Sequence, residues 1–152
     1  MKKIFVLKGK DGSGKTTKIN TIADWIIKTY NVQNTIGLDV TNFQKDTFGI
    51  LTIGKLKIGI NSAGDNEGEV KKLDLLTEKH ENELDVDIII CACRTKGKGR
   101  KYIVDNYNYS NGWLQKIINI DKFTSSDILS QNARDLRKIE ELKTWLIGLE
   151  KI

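Results

Sequence analysis

The chain of 152 residues contains no proline, one histidine and two cysteines. Without proline, and with glycine clustered at a few loops, the sequence has no stiff linker and no break in composition, which predicts a single domain over residues 1–152. Cys91 and Cys93 lie within an apolar run, with no second cysteine pair and no histidine nearby. A zinc site would lack its ligands there, so we expect buried, reduced thiols.

Long apolar runs are absent as well, since none reaches the roughly 18 residues that a membrane-spanning helix needs. The chain begins with two lysines after Met1 and passes directly into a short apolar run, without the cleavage site of a secretory signal. With 39% hydrophobic and 30% charged residues, it is too apolar for a disordered protein. These features predict a globular, cytoplasmic protein that is not associated with a membrane.

The excess of positive charge is small. The chain has 25 lysine and arginine residues against 20 aspartate and glutamate residues, a net charge of +5. Such a balance favours partners that carry phosphate groups. It falls short of the charge density that is typical of dedicated nucleic-acid-binding proteins, so the function has to be sought in local motifs.

Short apolar runs alternate along the chain with segments of helical periodicity. Strands are predicted at residues 4–8, 35–40, 87–92 and 114–120, together with a hairpin at 47–53 and 55–61. Helices are predicted at about 15–30, 70–84 and 102–109, and from 124 onward. This order predicts an α/β fold: a three-layer sandwich with a mainly parallel central sheet and helices on both faces.

The last of these helices is long. Thr124 and Asp127, three residues apart, resemble a capping box at its start. Apolar residues then recur at helical spacing, Leu129 and Leu136 among them, so this stripe is predicted to pack against the rest of the protein over most of the helix.

Residues 9–16 (GKDGSGKT) match the pattern GxxxxGK(S/T), and they lie between a predicted strand and a predicted amphipathic helix. Glycines allow such a loop to curl so that successive N–H groups point at phosphate oxygens, and the helix that follows adds the positive end of its dipole. The alternative is a glycine-rich turn that only caps a helix. The match of strand, spacing and helix favours a site for a nucleoside triphosphate, with ATP and Mg²⁺ as the expected ligands.

Three residues at the end of this stretch and directly after it have individual expected roles. Lys15 would reach the β- and γ-phosphates, and the Thr16 hydroxyl would complete the coordination of magnesium. Thr17 is expected to support the α-phosphate. The predicted nucleotide-binding residues are Gly9, Asp11, Gly12, Ser13, Gly14, Lys15, Thr16 and Thr17.

With these residues the sequence resembles the P-loop kinases, and GKDGSGKTT is similar to the loop of thymidylate kinases and related nucleotide kinases. The likeness covers about the first thirty residues. It implies the fold of the P-loop nucleoside triphosphate hydrolase superfamily and a phosphotransferase, in which magnesium-bound ATP donates its γ-phosphate to a substrate hydroxyl or phosphate under a basic lid. Beyond those residues the chain has no proline-containing segment of the kind that positions a thymidylate base, so the acceptor stays open.

Three acidic residues are candidates for the remainder of the site. Asp65 follows an apolar strand and is predicted to hold magnesium. Glu67 could orient an attacking water if the reaction is hydrolysis. Asp39 ends a predicted strand, where ligands gather in open parallel sheets, and could accept a proton from the substrate. The alternative for Asp65 is an ordinary turn before a helix, with Asp65 or Asn66 as the helix cap, and the alternative for Asp39 is an ordinary turn residue.

Residues 94–101 (RTKGKGRK) place five basic residues and two glycines in eight positions, directly after the strand predicted to be central. We name them the basic segment and predict a mobile loop. Arg94 or Arg100 would stabilise charge on the transferred phosphoryl group, while Gly97 and Gly99 would let the loop close over ATP. Two alternatives stay open: a patch from Arg94 to Lys101 that binds nucleic-acid phosphates, or a solvated loop without a partner.

Three functions are consistent with these patterns. The first is a small kinase that transfers the γ-phosphate of ATP to a nucleotide, nucleoside or other small acceptor. The second is a magnesium-dependent ATPase or nucleotide switch that acts with a nucleic acid or protein partner. The third is a nucleotide-binding module with little chemistry of its own, because a complete phosphate loop indicates binding but not turnover. The acceptor and the oligomeric state have no signature in the sequence.

Overall fold

The computed structural model describes residues 2–10, 13–30, 32, 34–36, 46–77, 85–120 and 127–146. Within them six strands and five helices follow one another along the chain. The elements are β1 Lys2–Gly9, α1 Lys15–Thr29, β2 Asn34–Ile36, β3 Phe48–Ile53, β4 Leu56–Asn61, α2 Glu67–Lys71, α3 Leu73–Thr77, β5 Ile88–Cys93, α4 Lys98–Asn106, β6 Trp113–Ile120 and α5 Ile128–Leu146, with a 3₁₀ turn at Tyr109–Asn111.

The strands form one sheet in the order β2-β3-β4-β5-β1-β6. The pairs β4–β5, β5–β1 and β1–β6 are parallel, whereas β2–β3 and β3–β4 are antiparallel. β5 is paired on both sides and its six residues are all buried, as its nearly continuous apolar sequence predicts. The carboxyl ends of β4, β5 and β1 therefore meet at one edge of the sheet.

Alternate residues of the strands pack into two separate apolar layers. Phe5 and Leu7 of β1 join the layer beneath α1 and α5, whereas Ile4 and Val6 join the layer beneath the short helices and α4. This arrangement confirms the predicted α/β fold with helices on both faces of a mainly parallel sheet. Among the helices that the structure describes, none combines the length and the apolar character required to cross a membrane.

Several predicted elements are confirmed and others are corrected. The hairpin turns at Gly54 and Lys55, as expected, because Gly54 takes a positive φ of 59°. The helix predicted over residues 70–84 is instead two short helices, α2 and α3, as far as residue 77, and residues 78–84 lie outside the described part of the chain. The strand predicted at 35–40 is described only as Asn34–Ile36.

The packing predicted for the last helix is wrong in its first half. Leu129 and Leu136 are 85% and 63% exposed, while Arg134 is 1% exposed. The helix is turned so that its polar residues meet α1, where Lys18 forms an ion pair with Asp135. Only the second half buries leucines as expected, at Leu142 and Leu146. Asp127 accepts a hydrogen bond from the Ser130 N–H, the bond of a helix cap, and Thr124 lies outside the described residues.

Candidate functional site

The glycine-rich loop, residues 9–16, connects the carboxyl end of β1 to the first turn of α1. The Ser13 N–H donates to the Lys10 carbonyl at 3.1 Å, so the chain reverses direction here rather than running extended. Gly14 then takes φ 87°, a left-handed conformation that favours glycine, and α1 begins at the next residue. Asp11 and Gly12 lie outside the described residues.

Gly9 permits the close approach that this loop requires. A Cβ at Gly9 would lie 2.6 Å from the Ser13 Oγ and 2.7 Å from the Ile120 carbonyl oxygen, closer than real Cβ atoms come. Ser13 is itself buried, at 2% exposure. The loop is therefore packed against the carboxyl end of β6, and its first glycine is a steric necessity.

Lys15 lies inside the curve of the loop. Its side chain is 6% exposed, and its ammonium donates to the carbonyl oxygens of Gly9 and Lys10 at 2.8 and 2.9 Å. The cation is thus held at the amino-terminal end of α1, where N–H groups of a first helical turn have no acceptor within the helix. Such a site is positive by both charge and dipole, so it suits a polyanion. The next residue but one, Thr17, has an exposed side chain.

The hydroxyl of Thr16 joins the loop to a part of the chain that carries no motif. It donates to the Asp46 carboxylate at 2.9 Å and lies 3.3 Å from the Ser62 carbonyl oxygen. Ser62 is buried, and its own hydroxyl lies 3.5 Å from the same Asp46 oxygen. A carboxylate, two hydroxyls and a carbonyl oxygen therefore converge at Thr16, the residue after Lys15. Oxygen donors of this kind are the ligands that Mg²⁺ prefers, so the residues fit that ion.

Sequence reasoning missed Asp46 because its position depends on pairing between distant segments. Thr47 is tied to Ser62 in both directions: the Thr47 N–H donates to the Ser62 Oγ at 2.6 Å, and the Ser62 N–H donates to the Thr47 carbonyl at 2.9 Å. These bonds continue the β3–β4 hairpin and place Asp46 beside the end of β4. The only available signal was an aspartate directly before the first strand of a predicted hairpin.

The loop after β4 crosses the end of β5 at close range. A Cβ at Gly64 would lie 2.2 Å from the Ala92 carbonyl oxygen and 2.9 Å from the Cys93 nitrogen. Backbone therefore packs directly on backbone, and Asp65 projects from this fixed point with its side chain 57% exposed. Asp65 is 3.9 Å from the Arg94 Nε.

The two residues that follow Asp65 start α2. The Asn66 side chain accepts a hydrogen bond from the Glu69 N–H at 2.9 Å, so the capping role weighed for Asp65 belongs to Asn66. The Glu67 carboxylate lies 2.7 Å from the Lys71 ammonium. That hydrogen bond lowers the pKa of Glu67, which therefore stays ionised at neutral pH.

The basic segment is not the mobile loop that the sequence predicts, because its second half is helical. α4 begins at Lys98, and its first turn contains Arg100 and Lys101. Gly97 precedes it with φ 107°, and Gly99 allows α4 to approach α2, since a Cβ there would lie 2.8 Å from Val70 Cγ2. The glycines of this segment thus serve a turn and a helix contact.

The position of α4 is further held from α3. The Asp74 carboxylate accepts hydrogen bonds from the hydroxyls of Tyr102 and Tyr107, at 2.7 Å for Tyr107. Burial and the bond to Asp74 raise the pKa of Tyr107 far above its usual range and that of Tyr102 to about 12, so both phenols remain donors at neutral pH. Tyr102 and Tyr107 therefore serve packing between α3 and α4, whereas Tyr109 is 72% exposed.

A pocket of about 480 Å³ opens between the loop after β4 and the basic segment. Its walls carry both signs of charge, with four cations on one side and the carboxylates of Asp65 and Glu67 on the other. The lining residues are Gly64, Asp65, Asn66, Glu67, Gly68, Arg94, Lys96, Gly97, Lys98, Gly99 and Arg100.

Cys93, at the end of β5, relates the pocket to the glycine-rich loop. Burial raises the pKa of its thiol to about 11, and the charges of Lys8, Lys15 and Arg100 partly oppose this rise. The adjacent parallel strands β4, β5 and β1 end at the same edge of the sheet. The structure therefore places Lys15, Thr16, Asp65, Glu67, Arg94 and Arg100 in the three segments that leave this edge, while Asp39 lies outside the described residues. Cys91 and Cys93 are buried and free, as predicted.

In comparisons with known proteins, no family model, no curated protein and no solved structure matches the chain.

Proposed function

We propose that the protein binds a magnesium complex of ATP at the glycine-rich loop and transfers its γ-phosphate to a small acceptor. One observation carries this proposal: the Lys15 ammonium is buried inside a turned loop at the start of α1, and the adjacent Thr16 hydroxyl contacts a carboxylate. A cation, helix N–H groups and, at the residue after the cation, a hydroxyl that contacts a carboxylate match the needs of a magnesium-bound polyphosphate.

The residues divide into two sets in this proposal. Gly9, Ser13, Gly14 and Lys15 would bind the β- and γ-phosphates, and Thr16 with Asp46 would hold Mg²⁺. Magnesium neutralises charge that develops on the phosphate oxygens. Asp46 is thus a second candidate beside Asp65 for the carboxylate ligand.

The pocket between Asp65 and Arg100 is the proposed place of the acceptor. In the transfer, the bond from the γ-phosphorus to the bridging oxygen breaks, a bond to an acceptor oxygen forms, and ADP leaves. Arg94 and Arg100 would orient the anionic groups and stabilise the transferred phosphoryl group. A pocket with four cations favours an acceptor that itself carries negative charge.

The test uses ATP labelled in its γ-phosphate. The purified chain is incubated with this ATP, Mg²⁺ and separate nucleosides, nucleotides and oligonucleotides, and labelled products are separated. Label in an acceptor would support the transfer. The proposal of transfer is wrong if label appears only as free phosphate, and the whole nucleotide site is wrong if calorimetry finds no binding of ATP with Mg²⁺.

A second candidate function is an ATPase or switch that acts with nucleic acid. It is favoured by the exposure of the cations in the basic segment: Lys96, Lys98 and Arg100 are exposed, and the Arg94 side chain is 48% exposed. Affinity for single-stranded DNA across a salt series separates the two, because contacts to phosphates give a steep dependence on salt. If single-stranded DNA does not bind, these cations serve the acceptor pocket instead.

A further inference from the structure

An ion pair between a buried lysine and a half-buried aspartate joins α1 to the last helix. Lys18 of α1 is 3% exposed, and its ammonium lies 2.7 Å from an Asp135 carboxylate oxygen on α5. The Arg134 Nε donates to the same oxygen at 2.7 Å. Two long cationic side chains are thus nearly removed from water, which is costly unless the geometry is good. α5 therefore turns its polar side toward α1 rather than its leucines.

The backbone N–H and the side-chain ammonium of Lys18 both donate to one acceptor in the loop. The Gly14 carbonyl oxygen accepts the first backbone hydrogen bond of α1, from the Lys18 N–H at 3.2 Å, and a second bond from the Lys18 ammonium at 3.3 Å. The contact is close, since a Cβ at Gly14 would lie 2.9 Å from the Lys18 Nζ. The ammonium therefore packs directly against the left-handed residue of the loop.

The Gly14 carbonyl shares its peptide plane with the Lys15 N–H. A trans peptide is planar, and its C=O and N–H point in opposite directions. Because the Gly14 carbonyl points into α1 toward Lys18, the Lys15 N–H points the opposite way, out of the amino-terminal end of the helix. This N–H is one of the groups that the proposed function assigns to phosphate.

We infer that Asp135 is a positioning residue of the nucleotide site: it holds the Lys18 ammonium against the Gly14 carbonyl, and this second bond, added to the first backbone bond of α1, fixes the direction of the Lys15 N–H. The inference rests on the proposed nucleotide function. Asp135 touches no phosphate in this account and acts through Lys18 alone.

Two simpler accounts predict different behaviour. If the pair only clamps α5 to α1, removal of Asp135 lowers thermal stability and leaves the affinity of the folded protein for polyphosphate unchanged. If Asp135 acts only by its charge, its removal tightens the binding of an anion, because a negative charge near the site is lost. Positioning predicts the opposite sign, a weaker complex.

The experiment compares Asp135→Asn with the full-length wild-type chain. Calorimetry measures the affinity for inorganic tripolyphosphate and for ATP with Mg²⁺, at a temperature where circular dichroism shows each variant to be folded. The matched control is Asp24→Asn, because Asp24 forms an exposed ion pair with Lys28 on the same α1 at 2.8 Å. A second readout is the shift of the Lys15 amide resonance when tripolyphosphate is added.

We expect Asp135→Asn to lower the affinity for both ligands by about tenfold, because one charge-assisted hydrogen bond is lost. The Lys15 amide shift should shrink in parallel, Asp24→Asn should match the wild type, and Asp135→Glu should recover part of the affinity. Unchanged or tighter binding by folded Asp135→Asn overturns the inference. Should that variant not fold, Asp135→Glu carries the test with an expected loss of roughly threefold, and unchanged affinity in it overturns the inference as well.

Failure of the inference is separable from failure of the proposed function. A wild-type chain that binds neither tripolyphosphate nor ATP overturns the nucleotide site itself and this inference with it. A wild-type chain that binds both, with an equal affinity in Asp135→Asn, removes only the role of Asp135.

Discussion

The glycine-rich loop and the basic segment follow neighbouring parallel strands, β1 and β5, yet they present their cations in opposite ways. In the loop, Lys15 is 6% exposed and held by backbone carbonyls. In the basic segment, the Arg94 side chain is 48% exposed and its carboxylate neighbour, Asp65, lies 3.9 Å away. One cation is enclosed by its own loop, and the other depends on groups across an open pocket.

The difference shows what each arrangement is able to do. An enclosed ammonium has a fixed position and low dielectric surroundings, so it acts strongly on whatever anion enters the curve of the loop. Exposed cations are screened by water and salt, so each contributes little alone. We therefore expect substitutions in the loop to have large effects and substitutions in the basic segment to have small ones.

The largest effect is expected for Lys15→Ala. Removing the enclosed ammonium should lower the affinity for ATP by about a thousandfold, which corresponds to about 4 kcal/mol. Calorimetry with ATP and Mg²⁺ measures this loss, and circular dichroism should show an intact fold. The control is Lys55→Ala, in the exposed turn of the β3–β4 hairpin. Affinity close to that of the wild type in Lys15→Ala would show that the loop does not bind the polyphosphate.

Gly64→Ala tests the backbone that carries the pocket. A methyl group 2.2 Å from the Ala92 carbonyl oxygen can be relieved only by moving backbone, so we expect a loss of about 3 kcal/mol in the free energy of unfolding. Urea denaturation measures it. Gly68→Ala is the matched control, because its nearest neighbour, Asn66 Oδ1, is 3.3 Å away, and its effect should be within about 1 kcal/mol. Equal effects of the two substitutions would contradict the close packing on β5.

The contrast also explains which features the sequence predicts. The parallel core strands, the hairpin and the loop between β1 and α1 depend on local patterns: continuous apolar runs, a Gly-Lys turn, and glycine spacing before a helical stripe. These patterns act within about ten residues of chain. The elements predicted from these patterns are confirmed because short-range preference and long-range packing agree there.

Elsewhere packing between distant segments decides the structure. The leucine stripe of α5 predicts burial of Leu129 and Leu136, but the ion pair between Lys18 and Asp135 turns that half of the helix the other way. Asp46 reaches Thr16 only through the bonds between Thr47 and Ser62. The basic segment became partly helical where Gly99 fits against Val70. No local pattern in the sequence encodes these contacts.

Asp46→Asn and Asp65→Asn sharpen the comparison at the metal. The carboxylate beside Thr16 should matter most for magnesium, so Asp46→Asn should raise the Mg²⁺ concentration needed for half-maximal ATP binding by about tenfold. Asp65, beside Arg94, should change it less. A titration of ATP affinity with Mg²⁺ distinguishes the two. A larger effect of Asp65→Asn would indicate that Asp65, the residue predicted from the sequence, is the magnesium ligand.

The smallest effect is expected in the basic segment, and it can be isolated from the loop. In the Lys15→Ala background, phosphate bound near the sheet edge should be held mainly by the pocket. Arg100→Ala should then lower the affinity for inorganic phosphate by about fivefold, because one partly solvated cation contributes about 1 kcal/mol. Lys101→Ala should have no effect, since that exposed ammonium already binds Asp105 at 2.6 Å. Phosphorus NMR measures these weak affinities, and an equal loss in both variants would mean that the segment attracts phosphate as a diffuse surface charge rather than through the pocket.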